Sequence, residues 1–308
     1  MEDTIFQGYD YRIASLRVRS FMPLPALPAD FDDPDVLISK GKMPDRLDNP
    51  IASADWWQIG KDHSLLVVWE GRFRILLEEG SHIVVDVDSG TPDEGVLSFL
   101  MGPVFSAILI YRARLVFHGA AIAFGRRCVL FIGERGAGKS TMAGYFRLKG
   151  YPNLGDDLCT IGWDKDSPMV EPVFPWVKLR EDTARFFHSG LEEAALARHG
   201  LDRFTLKPDR NLDPSPRRLA GIYLLDRNGE LNGQDLATPL PRSRSFSWLY
   251  RNLYGTPLAR HLGVFPRWVE QMTLVSNIPI YPCPRVAGLS HVEHQVDFII
   301  EQMKTKDV

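Results

Sequence analysis

A glycine-rich octapeptide at residues 133–140, Gly-Glu-Arg-Gly-Ala-Gly-Lys-Ser, has residue types and a spacing that can bind phosphate. It fits the pattern G-x-x-x-x-G-K-[ST]. The three glycines allow backbone angles that turn successive N–H groups toward one point, where these groups and a helix N-terminus bind phosphate oxygens. In this pattern Lys139 reaches the β- and γ-phosphates, and the Ser140 hydroxyl is a ligand of Mg²⁺. The predicted nucleotide-binding residues are Gly133, Glu134, Arg135, Gly136, Ala137, Gly138, Lys139, Ser140 and Thr141.

The segments on either side of this loop support the same interpretation. Residues 128–132 are an apolar run that predicts a buried strand, and residues 140–149 have the apolar spacing of an amphipathic helix. Gly150 fits the position after the C-terminus of that helix. A strand before the loop and a helix after it are the context in which the pattern is specific. We therefore expect ATP, or another nucleoside triphosphate, and Mg²⁺ as ligands.

Two acidic positions compete for the second half of such a site. Asp156 and Asp157 are adjacent, and since neighbouring carboxylates repel each other, a nearby cation makes ionisation of both easier. One could hold Mg²⁺ while the other takes the proton of an attacking hydroxyl. A helix cap or a solvated turn is the structural alternative. Asp226 follows the apolar run 222–225, as in a Walker B strand, but the next residues, 227–229, look like a hairpin turn that an aspartate can start.

Three further residues are weaker candidates. Lys178 and Arg180 alternate on an apparent strand, so both lie on one face, where they could hold phosphate or a substrate carboxylate. A solvated face is an equal alternative. His118 stands at the end of an apparent strand, where a lone histidine is usually a hydrogen-bonded structural residue.

The composition limits the classes of function. The chain has 308 residues, 44% hydrophobic and 24% charged, which is the balance of an ordinary soluble globular protein. The formal net charge of −3 does not favour a nucleic-acid partner. The three cysteines are far apart, so neither a zinc site nor a disulfide framework is indicated, and a reduced, cytoplasmic location is expected.

The first part of the chain is predicted to be rich in β-structure. Residues 65–69 and 73–77 predict a hairpin, and 83–87 add a third strand of a meander. Residues 95–111 carry no charge, but they are fewer than the roughly 20 residues that cross a bilayer and they contain a Gly-Pro pair. We expect a buried helix there, and neither a membrane span nor, in residues 1–20, a secretory signal.

The remaining chain predicts an α/β domain, because strands and helices alternate along it. The predicted strands are 115–122, 128–132, 158–163, 222–225 and 278–281, and the predicted helices are 140–149, 245–253, 267–276 and 291–303. The aromatic and apolar residues Phe246, Trp248, Leu249, Tyr250 and Leu253 have helical spacing that favours a place in the core. The predicted domains are 1–112, a smaller β-rich α+β region, and 113–308.

Several segments together resemble a known family. Residues 117–121 (Phe-His-Gly-Ala-Ala), 133–141, 150–152 (Gly-Tyr-Pro) and the pair at 156–157 are similar to the catalytic domain of HPr kinase/phosphorylase. The similarity is closest to the HPr kinase-like proteins of peptide-biosynthesis clusters, including the lasso-peptide precursor kinases. It continues through residues 175–179 and 220–225.

The resemblance implies a P-loop fold related to that of phosphoenolpyruvate carboxykinase and the transfer of phosphate from ATP to a serine hydroxyl. It implies Asp156 as the proton acceptor, Asp157 as the metal-linked partner of Ser140, and His118 as a histidine near the transferred phosphate. The family's Arg-Gly-rich signature is missing from residues 172–180. Its absence argues against HPr as the acceptor and against phosphorylase activity.

The sequence therefore predicts an ATP-dependent serine kinase acting on a ribosomally made precursor peptide, which the N-terminal region helps to present. A kinase of a small hydroxylated molecule is one alternative. A regulatory, nucleotide-gated ATPase that uses Asp226 as its metal ligand is another. Neither nucleic acid nor a membrane is expected as a partner, and a homo-oligomer is left open.

Overall fold

A computed structural model of the protein describes residues 8–87, 93–187, 196–199, 203–207, 212–231, 233–284 and 289–305, and has a mixed α/β architecture. In chain order the strands are β1 (Tyr9–Ile13), β2 (Leu16–Ser20), β3 (Leu27–Pro28), β4 (Val36–Lys40), β5 (Ala52–Ala54), β6 (Trp57–Ile59), β7 (Leu65–Trp69), β8 (Phe73–Glu78), β9 (His82–Val87), β10 (Leu115–Phe117), β11 (Gly119–Phe124), β12 (Arg127–Gly133), β13 (Asn153–Asp156), β14 (Cys159–Asp164), β15 (Ser167–Glu171), β16 (Val177–Arg180), β17 (Leu196–His199), β18 (Arg203–Leu206), β19 (Arg217–Asp226) and β20 (Ile280–Pro284). The helices are α1 (Asp93–Phe99), α2 (Phe105–Tyr111), α3 (Lys139–Leu148), α4 (Glu181–Phe187), α5 (Arg242–Arg251), α6 (Thr256–His261), α7 (Phe265–Val275) and α8 (Leu289–Thr305).

Contacts within the chain group its residues into two compact units. The first unit comprises Met1–Ala113 and Gly255–Phe265, and the second comprises Arg114–Tyr254 and Pro266–Val308. A short segment from the second half of the sequence thus belongs to the first unit, which a division by sequence position alone does not indicate.

The first unit contains a nine-stranded sheet in the order β3-β1-β2-β4-β9-β8-β7-β6-β5. Some of its strands alternate buried apolar and partly exposed polar positions, as in β2, where Leu16 and Val18 are buried on either side of the half-buried Arg17. The antiparallel pairs β7–β8 and β8–β9 confirm the predicted hairpin and meander. Gly71, with φ of +68°, lies in the turn of the hairpin.

The uncharged segment of the first unit is helical and buried, as predicted, but it is not one regular helix. A π-helical turn, Leu100–Val104, separates α1 from α2 and contains Pro103. Because proline has no N–H to donate, a regular α-helical ladder cannot pass through it. No helix in the described part of the chain is both long enough and apolar enough to cross a membrane.

The second unit is built on an eight-stranded sheet in the order β10-β14-β15-β19-β12-β11-β13, with β20 beside β19. A separate three-stranded sheet has the order β16-β18-β17. Strand β12 pairs with β19 in parallel and with β11 antiparallel. Strand β11 pairs antiparallel with β13, so β12, β13 and β19 all run in the same direction. Their carboxyl ends therefore lie along one edge of the sheet.

Aromatic rings fill the layer between this sheet and the helices that cover it. Phe131 of β12 stacks on Tyr223 of β19 with ring centroids 5.4 Å apart, and Tyr223 stacks on Tyr281 of β20 at 5.2 Å. Phe146 of α3 packs against Phe131 from the helical side at 5.5 Å. These buried contacts fix α3 over β12, and with it the loop that joins the two.

Three sequence-based expectations need correction. The strand predicted over 115–122 is broken at His118, because β10 pairs with β14 whereas β11 pairs with β12 and β13. Residues 227–229 do not form a hairpin, since the next strand, β20, runs parallel to β19 after three intervening helices. The apolar residues of α5 are not all core. Leu249 is buried, but Trp248 is only half-buried and Tyr250 is 39% exposed.

We expect Phe131→Ala to lower the free energy of unfolding by about 3–5 kcal/mol, because it leaves a cavity between β12, β19 and α3. Phe298→Ala on α8 is the matched control, since that ring is 41% exposed and its loss should cost little. Urea unfolding followed by circular dichroism measures both. Equal losses for the two variants would contradict this description of the core.

Candidate functional site

Several candidate residues lie at one edge of the eight-stranded sheet. Gly133 is the last residue of β12, Asp156 the last of β13 and Asp226 the last of β19. His118 immediately precedes β11, which runs in the opposite direction, so it lies at the same edge. The register confirms the proximity, because Ala120 pairs with Asp156 on one side of the central strands and Gly133 pairs with Leu225 on the other.

The glycine-rich loop needs its glycines for two different reasons. Gly136 and Gly138 have φ angles of +81° and +104°, which are costly for residues with a side chain. At Gly133 the obstacle is space as well, since an added Cβ would lie 2.4 Å from the carbonyl oxygen of Leu225. The loop can therefore pass close to the end of β19 and turn directly into α3.

Lys139, the first residue of α3, is buried beneath the loop. Its Nζ donates hydrogen bonds to the carbonyl oxygens of Gly133, at 2.7 Å, and Glu134, at 2.9 Å. Burial lowers the pKa of this ammonium, and the carboxylates of Asp156 and Asp157 oppose that shift. Among the described residues, the hydrogen-bond partners of this buried cation are neutral carbonyl groups.

The carboxylate of Asp156 joins three elements. Its Oδ1 accepts a hydrogen bond from the Ser140 hydroxyl at 3.0 Å, and its Oδ2 accepts one from the backbone N–H of Lys178, also at 3.0 Å. The side chain is buried. Burial, together with the neighbouring Asp157, raises the pKa of Asp156 to about 7. The hydrogen bonds to Ser140 and Lys178 act in the opposite direction.

Asp157 has different surroundings, although it is the next residue. Its φ of +68° lies in the left-handed region, which aspartate tolerates better than most residues. Its carboxylate is 3.3 Å from Nζ of Lys178, and 40% of the side chain is exposed. The two adjacent carboxylates therefore contact the Ser140 hydroxyl and the Lys178 ammonium, respectively.

His118 holds the backbone of Asp157. Its Nδ1 lies 2.9 Å from the Asp157 carbonyl oxygen, and since a carbonyl only accepts hydrogen bonds, Nδ1 carries the proton. Burial, followed by the charge of Lys139, lowers the pKa of His118. The ring is thus held neutral, with its second nitrogen free of a proton. This geometry gives His118 a positioning role for Asp157.

The resemblance implies Asp157 as the carboxylate next to Ser140, and the structure shows a different neighbour for that hydroxyl. The carboxylate beside the Ser140 hydroxyl belongs to Asp156, whereas Asp157 is beside Lys178. Hydroxyl and carboxylate oxygens suit Mg²⁺, which is usually held by one or two carboxylates with phosphate and water oxygens. The described residues contain no cluster of three or more His, Cys, Asp or Glu side chains that could hold a metal.

The other candidates lie around this centre or outside it. Glu134, Arg135 and Gly136 form the exposed part of the loop, Ala137 and Gly138 are half-buried, and Thr141 is in the first turn of α3. Lys178 and Arg180 do share one face of β16, as predicted. Only Lys178 contacts the Asp pair, because the Arg180 side chain is 85% exposed and lies 4.0 Å from Asp182.

Asp226 is a structural residue in this arrangement. Its Oδ1 accepts hydrogen bonds from the backbone N–H groups of Asn228 and Gly229, and its Oδ2 accepts one from that of Leu231 at 2.6 Å. Both carboxylate oxygens thus hold the chain that leaves β19. This agrees with the interpretation of Asp226 as the start of a turn, although the turn is not a hairpin.

Two neighbours of the loop were missed at the level of sequence. Nη1 of Arg227 donates to the Arg135 carbonyl oxygen at 2.9 Å, and the side-chain amide of Asn228 donates to the Glu134 carboxylate at 2.8 Å. Both residues follow β19 and were interpreted as turn residues only. The one available signal was that β19, if parallel to β12, must end beside the loop.

We expect Asp226→Asn to lower the free energy of unfolding by about 1–3 kcal/mol, because an amide NH₂ would face the Leu231 N–H in a buried position. The free energy of unfolding, from denaturant titration, is the measurement. Asp235→Asn is a control, because Asp235 accepts similar short-range hydrogen bonds at an exposed turn. A silent Asp226→Asn substitution would contradict the structural role.

The raised pKa of Asp156 leads to a separate prediction about how the stability of the metal-free protein depends on pH. Since the folded-state pKa of about 7 is above the ordinary value of 3.8, the folded state retains a proton that the unfolded chain releases. Stability should therefore fall as the pH rises through this window. We expect Asp156→Asn to match the wild type near pH 4 and to exceed it by roughly 1–4 kcal/mol above pH 7. The measurement is the free energy of unfolding of both proteins, from denaturant titrations with a metal chelator present across this pH range. A difference between the two proteins that does not change with pH would refute the prediction.

No protein-family model matches the chain, and no curated protein matches it. Among solved structures, the HPr(Ser) kinase/phosphatase from Coxiella burnetii is similar to it, with a TM-score of 0.33 and 13% sequence identity. That similarity covers 62% of this chain and 94% of the other.

Proposed function

We propose that this protein is a Mg²⁺-dependent kinase that transfers the γ-phosphoryl group of ATP to a serine hydroxyl, with a ribosomally made precursor peptide as the acceptor. The observation that carries the proposal is the hydrogen bond between Asp156 and Ser140. It brings an acidic pair to the first turn of the helix that follows a glycine-rich phosphate-binding pattern. Phosphate binding, a metal ligand and a carboxylate base are the parts that phosphoryl transfer requires.

The residues fit the two groups that the reaction needs. Positive φ angles at Gly136 and Gly138 and the start of α3 provide backbone N–H groups for phosphate oxygens. The Ser140 hydroxyl and the Asp156 carboxylate are the oxygens that would hold Mg²⁺. When bound, Mg²⁺ neutralises charge that develops on the phosphate oxygens.

Four residues of the site then have separate roles. Lys139 supplies a buried positive charge next to the phosphates, where a low-dielectric environment strengthens it. Asp157, the more exposed carboxylate, is placed to take the proton of an acceptor hydroxyl that arrives from solvent. Lys178 orients this carboxylate through its ammonium and Asp156 through its backbone N–H. His118 holds the left-handed backbone of Asp157 through its bond to the Asp157 carbonyl oxygen.

The proposal extends to the organisation of the chain. It assigns an HPr kinase-like P-loop fold to the domain predicted at 113–308, a cytoplasmic location to the protein, and presentation of the acceptor to the region 1–112. What supports the fold assignment is the direct passage of β12 through the glycine-rich loop into α3. The regulatory ATPase alternative finds no support at Asp226, because both of its carboxylate oxygens accept backbone hydrogen bonds.

The direct test is incubation of the full chain with ATP, Mg²⁺ and candidate acceptors, followed by mass spectrometry. Phosphate is expected on a serine of a precursor peptide. Phosphate on small hydroxylated molecules alone would identify the other kinase alternative, and free phosphate alone would favour an ATPase.

Lys139→Ala should retain the fold and lose transfer by at least about 100-fold, since it removes a charge-assisted contact to the transferred group. Undiminished transfer by this variant would exclude the loop as the catalytic centre.

A Mg²⁺ titration separates the roles of the two carboxylates. We expect Asp156→Asn to raise the Mg²⁺ concentration needed for transfer, because a neutral amide is a poorer ligand for a hard cation. Asp157→Asn should instead reduce the rate at saturating Mg²⁺ by about 10²–10⁴-fold, the usual effect of losing a general base. Single-turnover rates across the titration are the measurement. The opposite pattern would restore the assignment that the family resemblance implies.

A further inference from the structure

A pocket of about 330 Å³ lies in the second unit, beside the first residues of the glycine-rich loop. It is formed where β19 ends and where α5 passes. Its lining includes loop residues, the turn after β19 and one face of the end of α5, and comprises Gly133, Glu134, Leu224, Leu225, Asp226, Arg227, Asn228, Glu230, Trp248, Arg251 and Asn252. None of the roles proposed so far uses this space.

The pocket and the Asp pair lie on opposite sides of the loop. The sheet order β13-β11-β12-β19 places the end of β13, with Asp156, three strand positions from the end of β19. At about 4.8 Å for each position, this is a separation of about 14 Å along the sheet edge. An extended nucleoside triphosphate can cover such a distance. Since the reacting phosphate must lie at Asp156 and Asp157, the rest of the molecule has the opposite side of the loop available.

The charges of the pocket do not suit a second phosphate group. The guanidinium of Arg227 donates to the Arg135 carbonyl oxygen, and that of Arg251 lies 3.3 Å from the Glu230 carboxylate. Glu134 adds another carboxylate, which is hydrogen-bonded to Asn228. The cations that line the pocket are therefore engaged, and the carboxylates would repel an anion. A neutral group with hydrogen-bonding edges fits this lining better.

Trp248 supplies a flat apolar surface in the same pocket. Its ring is half-buried, and the guanidinium carbon of Arg251 lies 4.9 Å from the ring centroid. The side-chain amide of Asn252 donates to the Trp248 carbonyl oxygen at 2.8 Å, which fixes the end of α5 that carries the ring. Since the guanidinium of Arg251 lies over one face of the ring, a nucleobase would stack on the other face or on the guanidinium plane itself.

We propose that this pocket binds the nucleobase and ribose of the nucleotide, with Trp248 as the stacking residue. The carboxylates of Glu134 and Glu230 are then acceptors for ribose hydroxyl or base amino groups. The inference depends on the proposed function, because it assumes that the loop binds the phosphates of a nucleotide. It makes the turn after β19 and helix α5 the part of the protein that distinguishes a nucleoside triphosphate from inorganic polyphosphate.

The test compares two ligands by calorimetry on the full chain with Mg²⁺: ATP, and inorganic tripolyphosphate, which has the phosphates but no nucleoside. Trp248→Ala should weaken ATP binding by about 10- to 100-fold, the usual effect of losing a stacking ring, and leave tripolyphosphate binding unchanged. Trp248→Phe should restore most of the affinity for ATP. Tyr250→Ala is the matched control, an exposed aromatic residue of the same helix that does not line the pocket.

The outcomes separate this inference from the proposed function. If Lys139→Ala weakens the binding of both ligands while Trp248→Ala changes neither, the loop binds phosphate and the pocket proposal is wrong. If Trp248→Ala leaves ATP binding intact but impairs phosphorylation of the acceptor, the pocket takes the acceptor and the proposal is also wrong. If the wild type binds neither ligand, both the proposed function and this inference fail.

Discussion

The buried carboxylate of Asp156 is the interaction on which the site depends. Asp156 is the last residue of β13. Its carboxylate accepts one hydrogen bond from Ser140 in the first turn of α3 and another from the backbone N–H of Lys178 in β16. Three elements that are separate in sequence thus meet at one charged group. Burying a carboxylate is costly unless hydrogen bonds or charges replace water, and the two hydrogen bonds replace it only in part. The part of the burial cost that the hydrogen bonds do not offset raises the pKa of Asp156 to about 7.

Under the proposed function, that uncompensated charge has a reason. A carboxylate that is unfavourable in the free protein becomes favourable when a cation arrives, so affinity for Mg²⁺ and stability of the empty site oppose each other. Lys139 provides no compensation through a direct contact, because its ammonium is bonded to the carbonyl oxygens of the loop. These charges are what the proposed function requires of a site whose ligands bring both a cation and phosphate groups.

The sequence allowed the local parts of this arrangement to be predicted, because local patterns determine them. The loop from Gly133 to Ser140, the strand before it and the helix after it follow from glycine spacing and apolar periodicity. The meander of the first unit follows from short apolar runs separated by glycine-containing turns. The π-helical turn around Pro103 could not be predicted, since whether proline ends a helix or widens it depends on the packing of its neighbours. The grouping of Gly255–Phe265 with the first unit is likewise a tertiary property.

Long-range pairing decided the parts of the site that the sequence did not reveal. Asn228 contacts Glu134 only because β19 pairs in parallel with β12 and ends one residue past the level of Gly133. A sequence shows that both segments are strands but not that they are neighbours. Trp248 was assigned to the core because helical periodicity identifies an apolar face without showing how much of that face another element covers. Other elements cover the face of α5 that carries Ser245 and Leu249, and the neighbouring Trp248 is only half-buried.

The two aspartates show how neighbouring residues of one type acquire different chemistry. In a continuing strand, successive side chains point to opposite faces, and Asp157 would have followed Asp156 in that pattern. The strand instead ends, and Asp157 adopts a left-handed conformation that the bond from His118 to its carbonyl oxygen stabilises. The consequence is one carboxylate in a buried, hydroxyl-bonded position and one within reach of solvent and Lys178. Two acids with one reference pKa are thereby given different environments, which is the condition for assigning metal binding to one and proton transfer to the other.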